Sequence, residues 1–314
     1  MKNISASAPG KLMLFGEHAV VYNRPCIVTA VSSIIQVAIE QTPGRFKIDA
    51  PQVKDVRFVE ETIRVFKNKF KTGNGLSIKT QSDFSYQYGF GSSSAVTVAT
   101  ILAMSKLYHL NLSLKNIFSL GYQVALNIQG VGSGFDIAAA TYGGTIYFLT
   151  GGKKIEPVPV KNINLVIGYS GVKADTPKIV KSLKLKVSPK GRSSYGRKNQ
   201  KSKYVKIFNQ ITEIVEDAKK KLVNKNWQRV GKLMNYNHQL LQKLEVSTEK
   251  LDKMCQAAVG AGAYGAKLSG AGGGDCMISL VSKDKRNLLE QAIEKAGGQI
   301  INVDNNAEGV KTEN

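Results

Sequence analysis

Apolar positions alternate between two periods along the chain. ISASAPGKLMLFGEH (4–18) reads as two short extended runs separated by the Pro9-Gly10 pair. CIVTAVSSIIQVAIE (26–40) is β-branched, with strand length and strand chemistry. VEETIRVFKNKF (59–70) switches to helical spacing, and LSIKTQSDF (76–84) returns to strand. Residues 95–110 and 114–128 predict two helices, the first mostly apolar, followed by a short strand over 145–149.

Turn residues and two prolines in TGGKKIEPVPV (150–160) mark a composition shift. The expected division is therefore 1–155 and 156–314. Beyond it, INLVIGYSGVK (163–173) predicts a buried strand ending in a turn. Residues 181–203 are basic, without an acidic side chain, and rich in Ser and Gly, which predicts a mobile loop. Amphipathic helices are expected over 204–222, 227–241 and 248–259. Short strands at 266–268 and 276–281 flank a glycine-rich stretch, and a last helix covers 284–296. Strands and helices alternate in both halves, so the class is α/β or α+β, without a repeat of fixed period.

The 314 residues are 42% hydrophobic and suffice for a sizeable core. Lys and Arg number 44 against 23 Asp and Glu, a formal charge of +21, which implies attraction to anions. Cys26, Cys255 and Cys276 are scattered and exclude a disulfide framework or a zinc motif. His18, His109 and His238 are equally dispersed. The N-terminus has no apolar signal region and the chain no 18-residue apolar run, so a cytoplasmic protein is expected.

Four stretches carry candidate chemistry. GFGSSS (89–94) precedes a helix, so its backbone N–H groups and the helix dipole form a cradle for an anion. The alternative is a Ser-capped helix after a glycine turn. The spacing matches neither the Walker loop nor a dinucleotide fingerprint. KLSGAGGGDC (267–276) holds more glycine than a hairpin needs. PGKLMLFGEHAVVYNRP (9–25) places Lys11, Glu17 and His18 among apolar residues. They read either as site residues or as a Lys11–Glu17 ion pair beside a core histidine. QGVGSGFDIAAATYGG (129–144) surrounds Asp136 with small residues, as a helix cap or as a lone carboxylate in a cleft.

Together, and in this order, the four stretches resemble the motifs of the GHMP kinase superfamily. PGKLMLFGEHAVVY is similar to its first motif, GFGSSSAV to its phosphate loop and KLSGAGGGDC to its third. With GYSGVKADTPKIV and KLMNYNHQLLQKLEVS, the similarity points to the archaeal form of the branch that phosphorylates mevalonate. The resemblance implies an α+β, two-domain GHMP kinase fold. A domain like ribosomal protein S5 domain 2 would pack on a ferredoxin-like domain, with the active site in the cleft between. It implies ATP and Mg²⁺, mevalonate as the small-molecule partner, no nucleic-acid or membrane partner, and a homodimer as an assembly common in the family. Asp136 would be the general base and Lys11 would hold the acceptor hydroxyl. Gly89, Gly91, Ser92, Ser93 and Ser94 would cradle ATP phosphates, with the Ser93 hydroxyl on the metal. Glu17, His18, Thr141, Gly270, Ala271 and Gly272 would line the substrate side.

Three positions depart from the family pattern. Ala125 stands where a metal-binding Glu is usual, Asp275 replaces the last glycine of the third motif, and GSGFD (132–136) is more like the branch that phosphorylates 5-phosphomevalonate. That substrate is the alternative on the same fold. A reading from another class makes the basic stretch 181–206, with Tyr195 and Tyr204, a nucleic-acid or acidic-surface binder.

Overall fold

The computed structural model describes residues 3–44, 47–52, 55–73, 75–161, 163–187 and 194–313, with side chains for all of these except 194–201. In chain order the first elements are β1 (Ile4–Phe15), β2 (Pro25–Thr42), β3 (Lys47–Asp49), α1 (Arg57–Phe70), β4 (Gly75–Ser82), α2 (Ser92–Leu107), α3 (Leu114–Gln129), α4 (Phe135–Tyr142), β5 (Thr145–Leu149) and β6 (Lys154–Pro157). They are followed by β7 (Leu165–Tyr169), α5 (Thr176–Val187), α6 (Ser194–Val223), α7 (Trp227–Lys243), α8 (Glu249–Gly260), β8 (Gly265–Ser269), β9 (Cys276–Leu280), α9 (Arg286–Lys295), β10 (Gln299–Ile301) and β11 (Lys311–Glu313).

The first sheet has the order β11-β1-β2-β4-β3, with β5 and β6 continuing from the start of β2. It passes residue 155 through β6, and the C-terminal strand β11 returns to pair with β1 at Ser5–Ser7. Residues 6–15 of β1 and 25–31 of β2 are buried without alternation. Helices α2 and α4 contact both strands, and α6, α7 and β8 contact β1 as well or β2, so neither face of this region meets water. Past residue 34, β2 alternates buried Ile35, Val37 and Ile39 with more open neighbours, the pattern of a sheet with one wet face. The second sheet, β10-β7-β9-β8, is antiparallel throughout. Helices α8 and α9 pack on it.

Helix α7 runs so close to β8 that two glycines touch. A Cβ on Gly265 would lie 1.9 Å from the Gly231 carbonyl oxygen. Gly265→Ala is expected to cost about 1–3 kcal/mol by urea unfolding. Gly260→Ala, whose Cβ would meet open space, is expected to stay within about 0.5 kcal/mol.

Two sequence expectations change. Residues 4–15 form one strand rather than two runs, because β2 accommodates Pro9-Gly10 by a bulge. Its partner register jumps from Ile34 to Val31. The stretch expected as a loop over 181–203 is helical where described: 181–187 belong to α5 and 194–203 to α6. Residues 188–193 lie outside the described residues. A sparse stripe, half-buried Ile179 with buried Leu183 and Val187, seats α5, and buried Tyr204, Ile207 and Phe208 seat α6. Burial of this stripe outweighs the Ser, Gly and Lys content that predicted a loop.

Candidate active site

The β2 bulge opposite Pro9-Gly10 sets the site. Proline offers no N–H, and past it the Lys11 N–H donates to the Phe90 carbonyl at 2.8 Å, drawing the phosphate-loop segment against β1. Lys11 is buried, and its Nζ donates to the Gly89 carbonyl at 2.8 Å. The same Nζ lies 3.1 Å from Asp136 Oδ1 and 5.4 Å from the centre of the Phe135 ring. Asp136 occupies the first turn of α4, whose cap is Gly134 in the left-handed region. The Asp136 side chain is 32% exposed against 9% for Lys11, so the pair opens to solvent on the carboxylate side.

Helix α2 is capped by Gly91 at φ 78°, without a side-chain cap bond, so the Ser-capped alternative does not hold. Ser92 and Ser93 are half-buried and Ser94 is buried. The Ser94 N–H turns back to the Gly91 carbonyl at 3.0 Å, and helix geometry leaves the N–H groups before it without intrahelical partners at this end, where the dipole adds positive character. Along its length α2 is apolar on every side and almost wholly buried, which fixes that end in place. A Cβ on Gly91 would approach Lys11 Cε to 3.2 Å and Asp136 Oδ1 to 3.4 Å, so the loop backbone touches the pair directly.

Glu17 does not pair with Lys11. Its carboxylate meets the Lys267 ammonium, and both side chains are 0% exposed. Lys267 Nζ also donates to the Leu268 carbonyl at 2.6 Å. Burial pushes Glu17 up and Lys267 down, while their mutual attraction opposes both shifts. This pair joins the end of β1 to β8, and Ser269 reinforces the seam: its hydroxyl donates to the Met13 carbonyl at 3.0 Å and accepts the Met13 N–H at 3.1 Å. His18 Nε2 donates to the Ala271 carbonyl at 2.8 Å, tying the first motif to the third glycine stretch. Gly270 and Gly272 turn there at φ 99° and 74°. Thr141 is buried and its hydroxyl donates to the Ile137 carbonyl within α4, so it serves the helix that carries Asp136.

Sequence reasoning singled out neither Lys267 nor Ser269. The available signal was a lysine inside the apolar strand GAKLS, where only a buried partner makes the residue tenable.

Burial lowers the His18 pKa to about 4, with the bond to Ala271 opposing. An unfolded histidine protonates near 6.5. The unfolded state therefore binds more protons between those values, and the histidine's contribution is intact above pH 6.5 and lost as pH falls toward 4. Unfolding measured from pH 7.5 to 4.5 should show a decline of roughly 3 kcal/mol from this group. His18→Gln should flatten that part of the slope. An unchanged slope in the variant would contradict a neutral buried His18.

Comparison with known proteins agrees with this architecture. The GHMP kinases N terminal domain matches residues 57–144 and the GHMP kinases C terminal domain residues 218–299. The chain belongs to the GHMP kinases, has their two-domain α+β fold, and is an ATP-dependent kinase. Among its relatives, the mevalonate kinase of Thermococcus gammatolerans is 34% identical, covering 99% of this chain and 98% of the relative. The crystal structure of L. major mevalonate kinase in complex with R-mevalonate superposes with a TM-score of 0.79 at 27% identity, covering 96% and 95% of the two chains. Streptococcus pneumoniae phosphomevalonate kinase, in complex with phosphomevalonate and AMPPNP, shares the fold at TM-score 0.83 and 17% identity, covering 97% and 100%.

Proposed function

We propose that the chain transfers the γ-phosphoryl group of ATP to the 5-hydroxyl of (R)-mevalonate, giving 5-phosphomevalonate and ADP for isoprenoid biosynthesis. One observation carries the chemistry: the Lys11–Asp136 pair, at 3.1 Å, lies against the glycine that caps α2. The full-length identity to a mevalonate kinase supports the acceptor.

In this reading the ATP phosphates rest on the N–H groups of Gly91, Ser92 and Ser93, beside the Ser94 hydroxyl. The 5-oxygen of mevalonate bonds to the γ-phosphorus as the bond to the β–γ bridging oxygen breaks. The hydroxyl proton passes to Asp136, and Lys11 holds the acceptor oxygen as its negative charge grows. His18, Gly270, Ala271 and Gly272 close the substrate side, and the Glu17–Lys267 pair holds that wall in register. Catalysis is then mainly positioning and electrostatics.

The donor set suits Mg²⁺, which takes one or two protein oxygens and fills its remaining positions with phosphate and water. The Ser93 hydroxyl is the expected protein ligand, and Mg²⁺ there would neutralise phosphate charge. Ala125 is buried in the apolar side of α3 and supplies no oxygen.

A second reading, 5-phosphomevalonate as acceptor, is favoured by the GSGFD stretch alone. A phosphomevalonate kinase shares this fold. No described helix is long and apolar enough to cross a membrane. The proposal includes a cytoplasmic enzyme with no nucleic-acid or membrane partner and a homodimeric assembly. ³¹P NMR of the product from (R)-mevalonate, ATP and Mg²⁺ tests the function. A new phosphomonoester on C5 is expected, and its absence, while a parallel reaction supplied with 5-phosphomevalonate gives a diphosphate, would establish the second reading.

A further inference from the structure

Asp275 stands where the glycine run of the third motif ends. Its backbone is left-handed, at φ 56°, a conformation glycine adopts more readily. The side chain is nonetheless buried, 6% exposed. Oδ1 accepts the Ala174 N–H at 2.9 Å and lies 3.4 Å from Lys173 Nζ. The Asp275 N–H donates to the Val172 carbonyl at 2.7 Å, and its own carbonyl accepts the Ser170 N–H at 2.9 Å. The carboxylate thus braces 170–174 against the entry to β9.

The other carboxylate oxygen faces the phosphate loop. A Cβ on Gly89 would lie 2.4 Å from Asp275 Oδ2, so the carboxylate fills the space beside the Gly89 α-carbon. Next to it, the Cys276 thiol donates to the Tyr88 carbonyl at 3.2 Å. Residues 88 and 89 are held from β9 at two consecutive points. Gly89 is also the residue whose carbonyl holds Lys11 Nζ, and Lys11 holds Asp136.

We infer that Asp275 is a positioning residue for phosphoryl transfer: wedged against Gly89, it fixes the Gly89 carbonyl and through it the Lys11 ammonium at the reacting oxygen. The inference rests on the phosphotransfer reading of the Lys11–Asp136 pair. A carboxylate beside an anion cradle disfavours phosphate binding, an effect that Lys173 offsets. Its loss therefore has a distinctive signature. A lost ligand contact would raise the KM for ATP, whereas loss of this brace lowers kcat and leaves that KM unchanged or reduced.

The experiment compares Asp275→Gly, Asp275→Asn, Gly89→Ala and the double variant Gly89→Ala/Asp275→Gly. Glycine suits φ 56°, which offsets part of the cost of the lost bond to Ala174, so Asp275→Gly should still fold, as its urea midpoint will show. Its kcat should fall about tenfold, since misplacement by a fraction of an ångström has effects of this order. Asn keeps the acceptor for Ala174 and the bulk against Gly89, and should recover kcat to within about threefold of the parent. The double variant should exceed Gly89→Ala alone, because the collision is removed. An Asp275→Gly kcat within about twofold of the parent, a loss confined to KM, or an Asn variant no better than Gly would each overturn the inference. Ratios are taken with whichever acceptor the parent turns over. A parent inactive on mevalonate then refutes the substrate reading while the role of Asp275 is still decided.

Discussion

Asp136→Asn is expected to lower kcat by about 10²- to 10⁴-fold, the range for removing a positioned general base. The amide keeps an oxygen for Lys11 but cannot take the acceptor's proton. Two features limit the change to chemistry. The Asp136 side chain is 32% exposed, so loss of its charge should move stability by less than about 1 kcal/mol. The phosphate cradle belongs to α2, whose cap and burial do not depend on Asp136, so nucleotide binding should persist. Steady-state rates with a nucleotide titration read both. A kcat within about tenfold of the parent would remove Asp136 from the proton-transfer role.

Lys267→Met is expected to produce the largest loss of stability. Lys267 and Glu17 are both 0% exposed, and they join β8 to the turn after β1. Removing one partner strands a carboxylate in the core, at a cost of about 3–5 kcal/mol. Replacing both, as Lys267→Met/Glu17→Leu, should recover most of that loss, because two apolar side chains of similar volume need no partner. Urea unfolding at pH 7 separates the cases. A single variant within about 1 kcal/mol of the parent would show that Glu17 finds another partner.

The periodic elements were legible because their periods are local. The β-branched run 26–40 and the spacing of 59–70 each point to one element. The three glycine-rich stretches were also legible, since left-handed turns and close backbone approach leave glycine as their trace. Pairings across the fold were not. Lys11 lies six residues from Glu17, which invited that pair, yet the bulge at Pro9-Gly10 turns Lys11 to Asp136 instead. Lys267 passed unnoticed, because its burial comes only from β1 and α7 closing over β8. Strand β11 has three residues and no pattern of its own, and it is defined by its partners at Ser5–Ser7. The basic stretch 181–203 misled because its apolar positions are few and widely spaced.

The most direct test of the central claim is initial-rate ADP release with ATP and Mg²⁺ in the presence of (R)-mevalonate, 5-phosphomevalonate or no acceptor. Turnover with mevalonate, absent without acceptor and lost in Asp136→Asn, is the predicted result. Release that ignores mevalonate, or that persists in Asp136→Asn, would contradict a mevalonate-phosphorylating site built on the Lys11–Asp136 pair.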